Sequence, residues 1–362
     1  MPADFDKEGK RRLIFNPKTV NDYVMSSDYQ KKYLPHSDYK MSLDNKHIIL
    51  DSTFSGTGLI KGYLIKVPCG KCEGCRNDYA RRWSARCYHE GVMHDYFKNC
   101  AFLTLTFNNN MLYRRKNAWS VDKCAFSQWI KRFRERIRSS YGNDGTNIRF
   151  FACGEYGAKG SSHRPHYHVL LYGFNFPDKK VICGPGYPKS LQPHKVGDHV
   201  VYNYTSDFLK DCWTPAGSSE SFGFHTISDV NQFTCSYVAR YVMKKSGDNL
   251  YKGREPVFVN CSRNPGLGAS YFDNHYREMF SAGCIRIGKN FVSDIPRYYV
   301  DRLKIVNPEL YNLYKFDRFH SLVNNFYVDD SSEQLEAKRE LLKCKLDMYH
   351  RSYEEDLNLH NI

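Results

Sequence analysis

The sequence predicts an α+β fold, and three observations predict it. Two β-branched and aromatic runs, NIRFFACGE (147–155) and HYHVLLYGF (166–174), flank a Gly- and Ser-bearing loop and read as a hairpin. AFLTLTF (101–107) alternates as a third strand, and several flanking stretches place apolar residues at helical spacing. At 362 residues, 41% apolar and 15% aromatic, the chain can bury a substantial core.

Taken in order, residues 1 to about 65 mix polar, Gly- and Tyr-rich stretches with short apolar runs (HIIL, GYLIKV). They read as an irregular arm with one or two strands. From 76 to 98, Tyr79, Trp83 and Cys87 fall at helical spacing with Arg81, Arg82 and Arg86 between them, which gives a helix with a basic side. The strand at 101–107 stops at Asn108, Asn109 and Asn110, a turn signal. Ser120 is placed to cap a helix whose Phe126, Ile130, Phe133 and Ile137 form an apolar stripe. Lys131, Arg132, Arg134, Arg136 and Arg138 lie largely off that stripe, which suits either a solvated face or contact with DNA. Residues 175–225 carry many Gly, Pro, His and Asp without periodicity and read as an insertion or long loop. Ser228 to Lys245 is helical again, and the chain past 295 is helix-rich. The expected organisation is an arm (1–65), a main domain (66–275) with the insertion, and a mostly helical C-terminal region (276–362).

No run nears the ~20 apolar residues that cross a bilayer, and no signal-peptide pattern is expected. Thirteen scattered cysteines do not read as a disulfide framework and fit a reducing compartment, with cytosol the expectation. The charge of +14, from 53 Lys+Arg against 39 Asp+Glu, favours a polyanion, and nucleic acid leads. Twenty-eight Tyr and 23 Phe tilt this toward single strands, whose bases stack on rings.

Residues two apart on a strand share a face, so His166 and His168 present both imidazoles to one side while Tyr167 and Val169 face the other. Pro165 suits the first position of that strand. If the hairpin closes over 156–165, Glu155 lies at the same mouth. Two imidazoles and a carboxylate suit a divalent cation with open positions; the alternative is a surface pair of polar residues.

In SDVNQFTCSYVARYVMKKSG, Ser228 or Asp229 is placed to cap a helix and Gly247 to stop it. Phe233, Tyr237, Tyr241 and Lys244 share one stripe, and Val230, Thr234, Val238 and Val242 form the better candidate for the core-facing side. Two phenols one turn apart are either the edge of a packed face or alternating nucleophiles toward a metal-polarised phosphodiester. Lys244 would neutralise phosphate charge, while Arg240 is offset and suited to gripping the backbone.

With FLTLTF (102–107), RPHYH (164–168) and YVARYVMKK (237–245) in this order, the chain resembles the HUH superfamily of rolling-circle replication initiators, and closely the initiators of the gokushovirus-type Microviridae. PCGKCEGC and NPGLG (264–268) also look like that form. The resemblance implies a central antiparallel sheet flanked by helices, ferredoxin- or RRM-like, with a helical C-terminal extension. It implies Mg²⁺ or Mn²⁺ held by His166, His168 and Glu155, the last being the most variable ligand. It further implies that a tyrosine cuts one strand of the phage origin, stays on the 5′ phosphate and leaves a 3′-OH for the host polymerase. The second tyrosine then permits rejoining. Tyr241 with Lys244 matches the Tyr-x-x-Lys of single-tyrosine relatives, which favours Tyr241 for the first cut. Arg240, Lys245, Arg132 and Arg136 are the expected DNA contacts, and with no ATP-binding motif in sight a host helicase is the expected partner.

Cys69, Cys72 and Cys75 have the spacing of thiolate metal sites, with Cys87 or His89 a candidate fourth ligand for a structural Zn²⁺. Free thiols in a tight turn are the alternative.

Overall fold

The computed structural model describes residues 39–41, 48–50, 73–115, 117–142, 148–157, 164–187, 189–196, 199–241, 253–288, 291–324, 333–334, 336–341 and 343–344. The chain divides into two compact units, Met1–Cys75 with Asn312–Asp330, and Arg76–Tyr311 with Ser331–Ile362. In the first, β1 (Tyr39–Met41) and β2 (Ile48–Leu50) pair antiparallel. The chain then runs through α1 (Glu73–Val92), β3 (Cys100–Thr106), α2 (Asn109–Arg114), α3 (Lys123–Tyr141), β4 (Arg149–Tyr156) and β5 (Pro165–Tyr172). There follow β6 (Lys180–Val181), β7 (His194–Val196), β8 (His199–Val201), β9 (Tyr204–Thr205), α4 (Asp207–Cys212), β10 (His225–Ser228) and α5 (Gln232–Arg240). The order continues with β11 (Phe258–Cys261), α6 (Ala269–Ala282), β12 (Ile285–Ile287), β13 (Phe291–Ser293), α7 (Arg297–Val306) and α8 (Pro308–Asn324).

Seven strands form one antiparallel sheet in the order β11-β4-β5-β3-β10-β9-β6. The expected α+β class is what the chain adopts. Alternation splits the central strands into two apolar faces. Ala101, Leu103 and Leu105 of β3 with Tyr167, Val169 and Leu171 of β5 pack on the α3 stripe of Phe126, Trp129, Ile130, Phe133 and Ile137. Phe102, Phe151, Cys153, Leu170 and Tyr172 face the other way, onto Cys87 of α1 and Cys235, Tyr237 and Val238 of α5. Burying each large side chain contributes about 1.5–3 kcal/mol, so the sheet is held from both sides.

Several local expectations are corrected by competing contacts. Asp122, not Ser120, caps α3, accepting from Ala125 N at 2.8 Å; Ser120 instead accepts from Glu255 N. Asn108 is not a plain turn residue but the cap of α2. α1 ends at Val92, where the Phe97 ring folds back on Gly91 so closely that a Cβ would lie 2.1 Å from it. The segment 175–225 supplies β6 and β9 to the sheet, and its Phe176, Leu209 and Trp213 enter the α3-side core. Among the described residues the C-terminal region holds the end of α6, the β12–β13 hairpin, α7 and α8.

The NPGLG segment is a structural joint. Gly268 sits at φ +81 with Tyr299 Oη where a Cβ would be, 2.2 Å away, and its N–H donates to Glu90 Oε2 at 2.7 Å. Glu90 also pairs with Arg149, whose Nη2 donates to Pro265 O at 2.7 Å. Burial alone would raise the Glu90 carboxyl, but His94, Arg149 and the Gly268 N–H outweigh it and hold it below the usual range.

Candidate active site

β5 is flanked by β4 and β3, and its register sets Glu155 and Thr106 directly opposite His166, with Cys153 and Thr104 opposite His168. The hairpin thus brings Glu155, His166 and His168 onto one face with ligand atoms all within 4.8 Å of one another. Glu155 Oε1 lies 2.9 Å from His166 Nε2 and 3.1 Å from His168 Nε2. Glu155 and His168 are buried, and His166 is half-buried.

α5 lies across this face. It begins with a capping box in which the Asn231 side chain accepts from Thr234 N and Thr234 Oγ1 accepts from Asn231 N. The expected caps fail because Ser228 is taken up in β10, opposite Phe102. The expected stripes divide differently: Phe233 is 80% exposed, whereas Tyr237, Val238, Cys235 and Tyr241 are buried together. Tyr237 Oη lies 2.8 Å from His168 Nε2, and Tyr241 donates to Tyr237 Oη at 2.7 Å. The Tyr241 ring stacks on His168 at 5.6 Å, and Phe102 packs against both His168 and Tyr237. Burial first, then the Glu155 charge, pushes both phenols well above the ordinary tyrosine range, while the Tyr241 hydrogen bond pulls Tyr237 back down. Both are neutral phenols at neutral pH.

The donor set fits a cation. His166 Nδ1 faces Arg164 O at 3.1 Å, and a carbonyl only accepts, so this nitrogen carries the proton. A consistent network puts the other imidazole proton on His168 Nδ1, donating to Thr104 Oγ1 at 3.0 Å, and lets His168 Nε2 accept from Tyr237. The His166 Nε2 lone pair then meets the Glu155 carboxylate, while His168 Nε2, taken up by the Tyr237 proton, lies 3.1 Å from the same oxygen. That arrangement repels unless a second proton or a metal ion sits among the three, and the fixed tautomers are those of metal-ligating histidines.

Thr104 and Arg164 were not singled out by the sequence; the alternation of FLTLTF held the signal for Thr104, but only the register places it behind His168. Arg164 donates to Phe107 O and, at 2.6 Å, to Asn109 Oδ1, fixing the start of β5 against the end of β3. Lys244 and Lys245 lie outside the described residues, as do Cys69 and Cys72. Arg240 is half-buried at the end of α5. Arg132 and Arg136 are exposed on α3, which covers the sheet face opposite the tyrosines.

Cys87 is corrected as a zinc ligand. It is fully buried against Cys100, Phe151 and Tyr172, and burial raises its thiol far beyond the usual range. It also lies more than three turns beyond Cys75 on one continuous helix, about 18 Å at the α-helical rise. His89 is excluded in the same role, because its nitrogens face Tyr299 Oη at 3.0 Å and Arg286 O at 2.9 Å.

Among the described residues no helix is long and apolar enough to cross a membrane. Residues 100–246, from β3 through the tyrosines, match the replication-associated protein ORF2/G2P family. Replication-associated protein VP4 of Bdellovibrio phage phiMH2K is 32% identical over 245 residues, 67% of this chain and 69% of that protein. Replication-associated protein ORF2 of Spiroplasma virus 4 is 27% identical over 319 residues, covering 83% and 85%. Replication-associated protein ORF4 of Chlamydia phage 1 is 26% identical over 265 residues, covering 72% and 59%. No solved structure matches the chain. A relative 32% identical over more than two thirds of its length, with a family match that runs from β3 to just past the paired tyrosines, makes the chain a member of the phage replication-associated protein family.

Proposed function

We propose that this replication protein is an HUH-type initiator that nicks one strand of a phage origin through a tyrosine, in the host cytoplasm, and later rejoins it. The observation that carries the reading is the Tyr237 hydroxyl 2.8 Å from His168 Nε2, beside the Glu155–His166–His168 cluster. Mg²⁺ or Mn²⁺ held by those three residues would supply Lewis acidity toward a phosphodiester oxygen.

The chain's own residues do the rest. Thr104 and Arg164 O hold the imidazoles in the tautomers that present Nε2, and Tyr241 donates to Tyr237 Oη, stabilising that oxygen as it loses its proton. Tyr237 Oη attacks phosphorus. A phosphorus–oxygen bond forms to the phenol while the bond to the 3′-oxygen breaks; the 3′-oxygen leaves with the electron pair and is protonated in exchange for the proton the phenol gives up. The product is a 5′-phosphotyrosine and a 3′-OH that a host polymerase can extend. The preference for Tyr241 rested on Lys244, and the described residues favour Tyr237, with Tyr241 left for the second transfer.

Labelled single-stranded origin DNA incubated with and without Mg²⁺ or Mn²⁺ tests the reading. A metal-dependent covalent adduct is expected; a salt-sensitive shift without cleavage would instead make the protein a non-catalytic DNA binder.

A further inference from the structure

A second cavity lies on the opposite face of the sheet, about 210 Å³ in volume, where Arg115, Gln128 and Arg132 line one part and Phe107, Trp213 and Phe222 another. Arg115 ends α2, and its guanidinium carbon sits 3.9 Å over the Phe107 ring. That contact satisfies the face of the group but none of its N–H bonds. Both Nη1 and Nη2 are buried, and neither meets an anion among the described residues. Their polar neighbour, the Tyr167 hydroxyl, donates to Asp122 O and accepts from Asp122 N, so it offers Arg115 one neutral lone pair and no countercharge. Among the described residues no Asp or Glu lines the cavity. A guanidinium is charged at every accessible pH, and a buried one without an anion is strongly disfavoured, so these donors point to an oxyanion.

The cavity also has a telling position. Phe107 directly follows Thr106, the register partner of His166, and Tyr167 lies between the two histidines while facing the other side of the sheet. The cavity and the catalytic cluster therefore share one end of the sheet, on opposite faces. A planar fork whose charge no anion meets matches two oxygens of a phosphate, and Arg132 supplies a second, exposed cation at the rim.

We propose that this cavity is a phosphate subsite that grips the backbone of the single-stranded DNA substrate as it passes around the end of the sheet. The assignment rests on the strand-cleavage reading for the identity of its ligand, but its test uses no cleavage. Thermal unfolding of the wild-type protein in inorganic phosphate and in thymidine 5′-monophosphate, against matched chloride, should show stabilisation that Arg115→Met removes. Filter binding of a labelled origin oligonucleotide should show about tenfold weaker binding by Arg115→Met, similar across sequences, with the salt slope reduced by about 0.7. Arg115→Lys, which keeps the charge and loses the fork, should fold even if Arg115→Met does not, and should also lose most of the phosphate response. A wild-type protein indifferent to phosphate, or a folded Arg115 variant that responds and binds like wild type, overturns the subsite. Loss of the phosphate response with unchanged oligonucleotide affinity overturns the strand assignment and makes the ligand a free nucleotide or phosphate. Failure of the wild type to nick would sink the cleavage reading alone.

Discussion

Replacing the two tyrosines one at a time by Phe separates their roles, because Phe keeps the ring and its packing on Phe102 and His168 while removing the hydroxyl. Tyr241 donates to Tyr237 Oη at 2.7 Å. When Tyr237 becomes the attacking oxygen this bond turns charge-assisted, worth about 1.5–3 kcal/mol. Tyr241→Phe should therefore slow the first cleavage by about 10- to 150-fold without abolishing it. Tyr237→Phe removes the nucleophile and should cost more than that, leaving only what Tyr241 can deliver. Each lost hydroxyl should lower stability by about 1–2 kcal/mol, so both proteins remain folded and bind the origin strand. The assay is single-turnover cleavage of labelled origin DNA with Mn²⁺, with peptide mapping of the trapped adduct. Phosphate mapped first to Tyr241, or a first cut hurt more by Tyr241→Phe, would refute the assigned order; adduct in the double-Phe protein would refute the nucleophiles altogether.

Changing His166 or His168 to Ala should abolish nicking while leaving DNA affinity within a few-fold, measured by cleavage and filter binding side by side, since backbone contacts come from elsewhere. Glu90→Gln should destabilise the protein by about 3 kcal/mol, because it leaves half-buried Arg149 without its countercharge. The Glu90 carboxyl is held below its ordinary value, so its contribution is full above about pH 4.5 and is lost as pH falls through the lowered value; denaturant unfolding from pH 7 to 3 should show that part of the slope vanish in the variant. His89 is pushed down to about 4 by burial, from 6.5. The unfolded chain takes up that proton first, so stability is full above pH 6.5 and declines toward pH 4 by about 2–3 kcal/mol; His89→Gln should flatten the decline between those values.

What the sequence revealed follows the range of the interaction involved. His166 and His168 share a face because strand period is local, and Glu155 joins them because a hairpin closes on its own neighbours. The start of α5 was not legible in the same way. Ser228, Asp229 and Asn231 are all competent caps within four positions, and the choice is made by β3, which draws Ser228 into β10 opposite Phe102. The strands of 175–225 escaped for a related reason: β6 and β9 are two residues each, too short for any period, and exist through their pairing with each other and with β10. Cys87 had the right chemistry and the wrong distance, which only the continuity of α1 exposes. The tyrosines offer two roles, packed side chains and nucleophiles, and the geometry is compatible with both. Burial raises both phenols above the ordinary range, and the same packing sets Tyr237 Oη and the Glu155 carboxylate against His168 Nε2 in buried surroundings where hydrogen bonds act more strongly. On the proposed cleavage reading, the apolar surroundings that make Tyr237 and Tyr241 look like core residues would be the condition under which their hydroxyls answer to the cluster and not to bulk water.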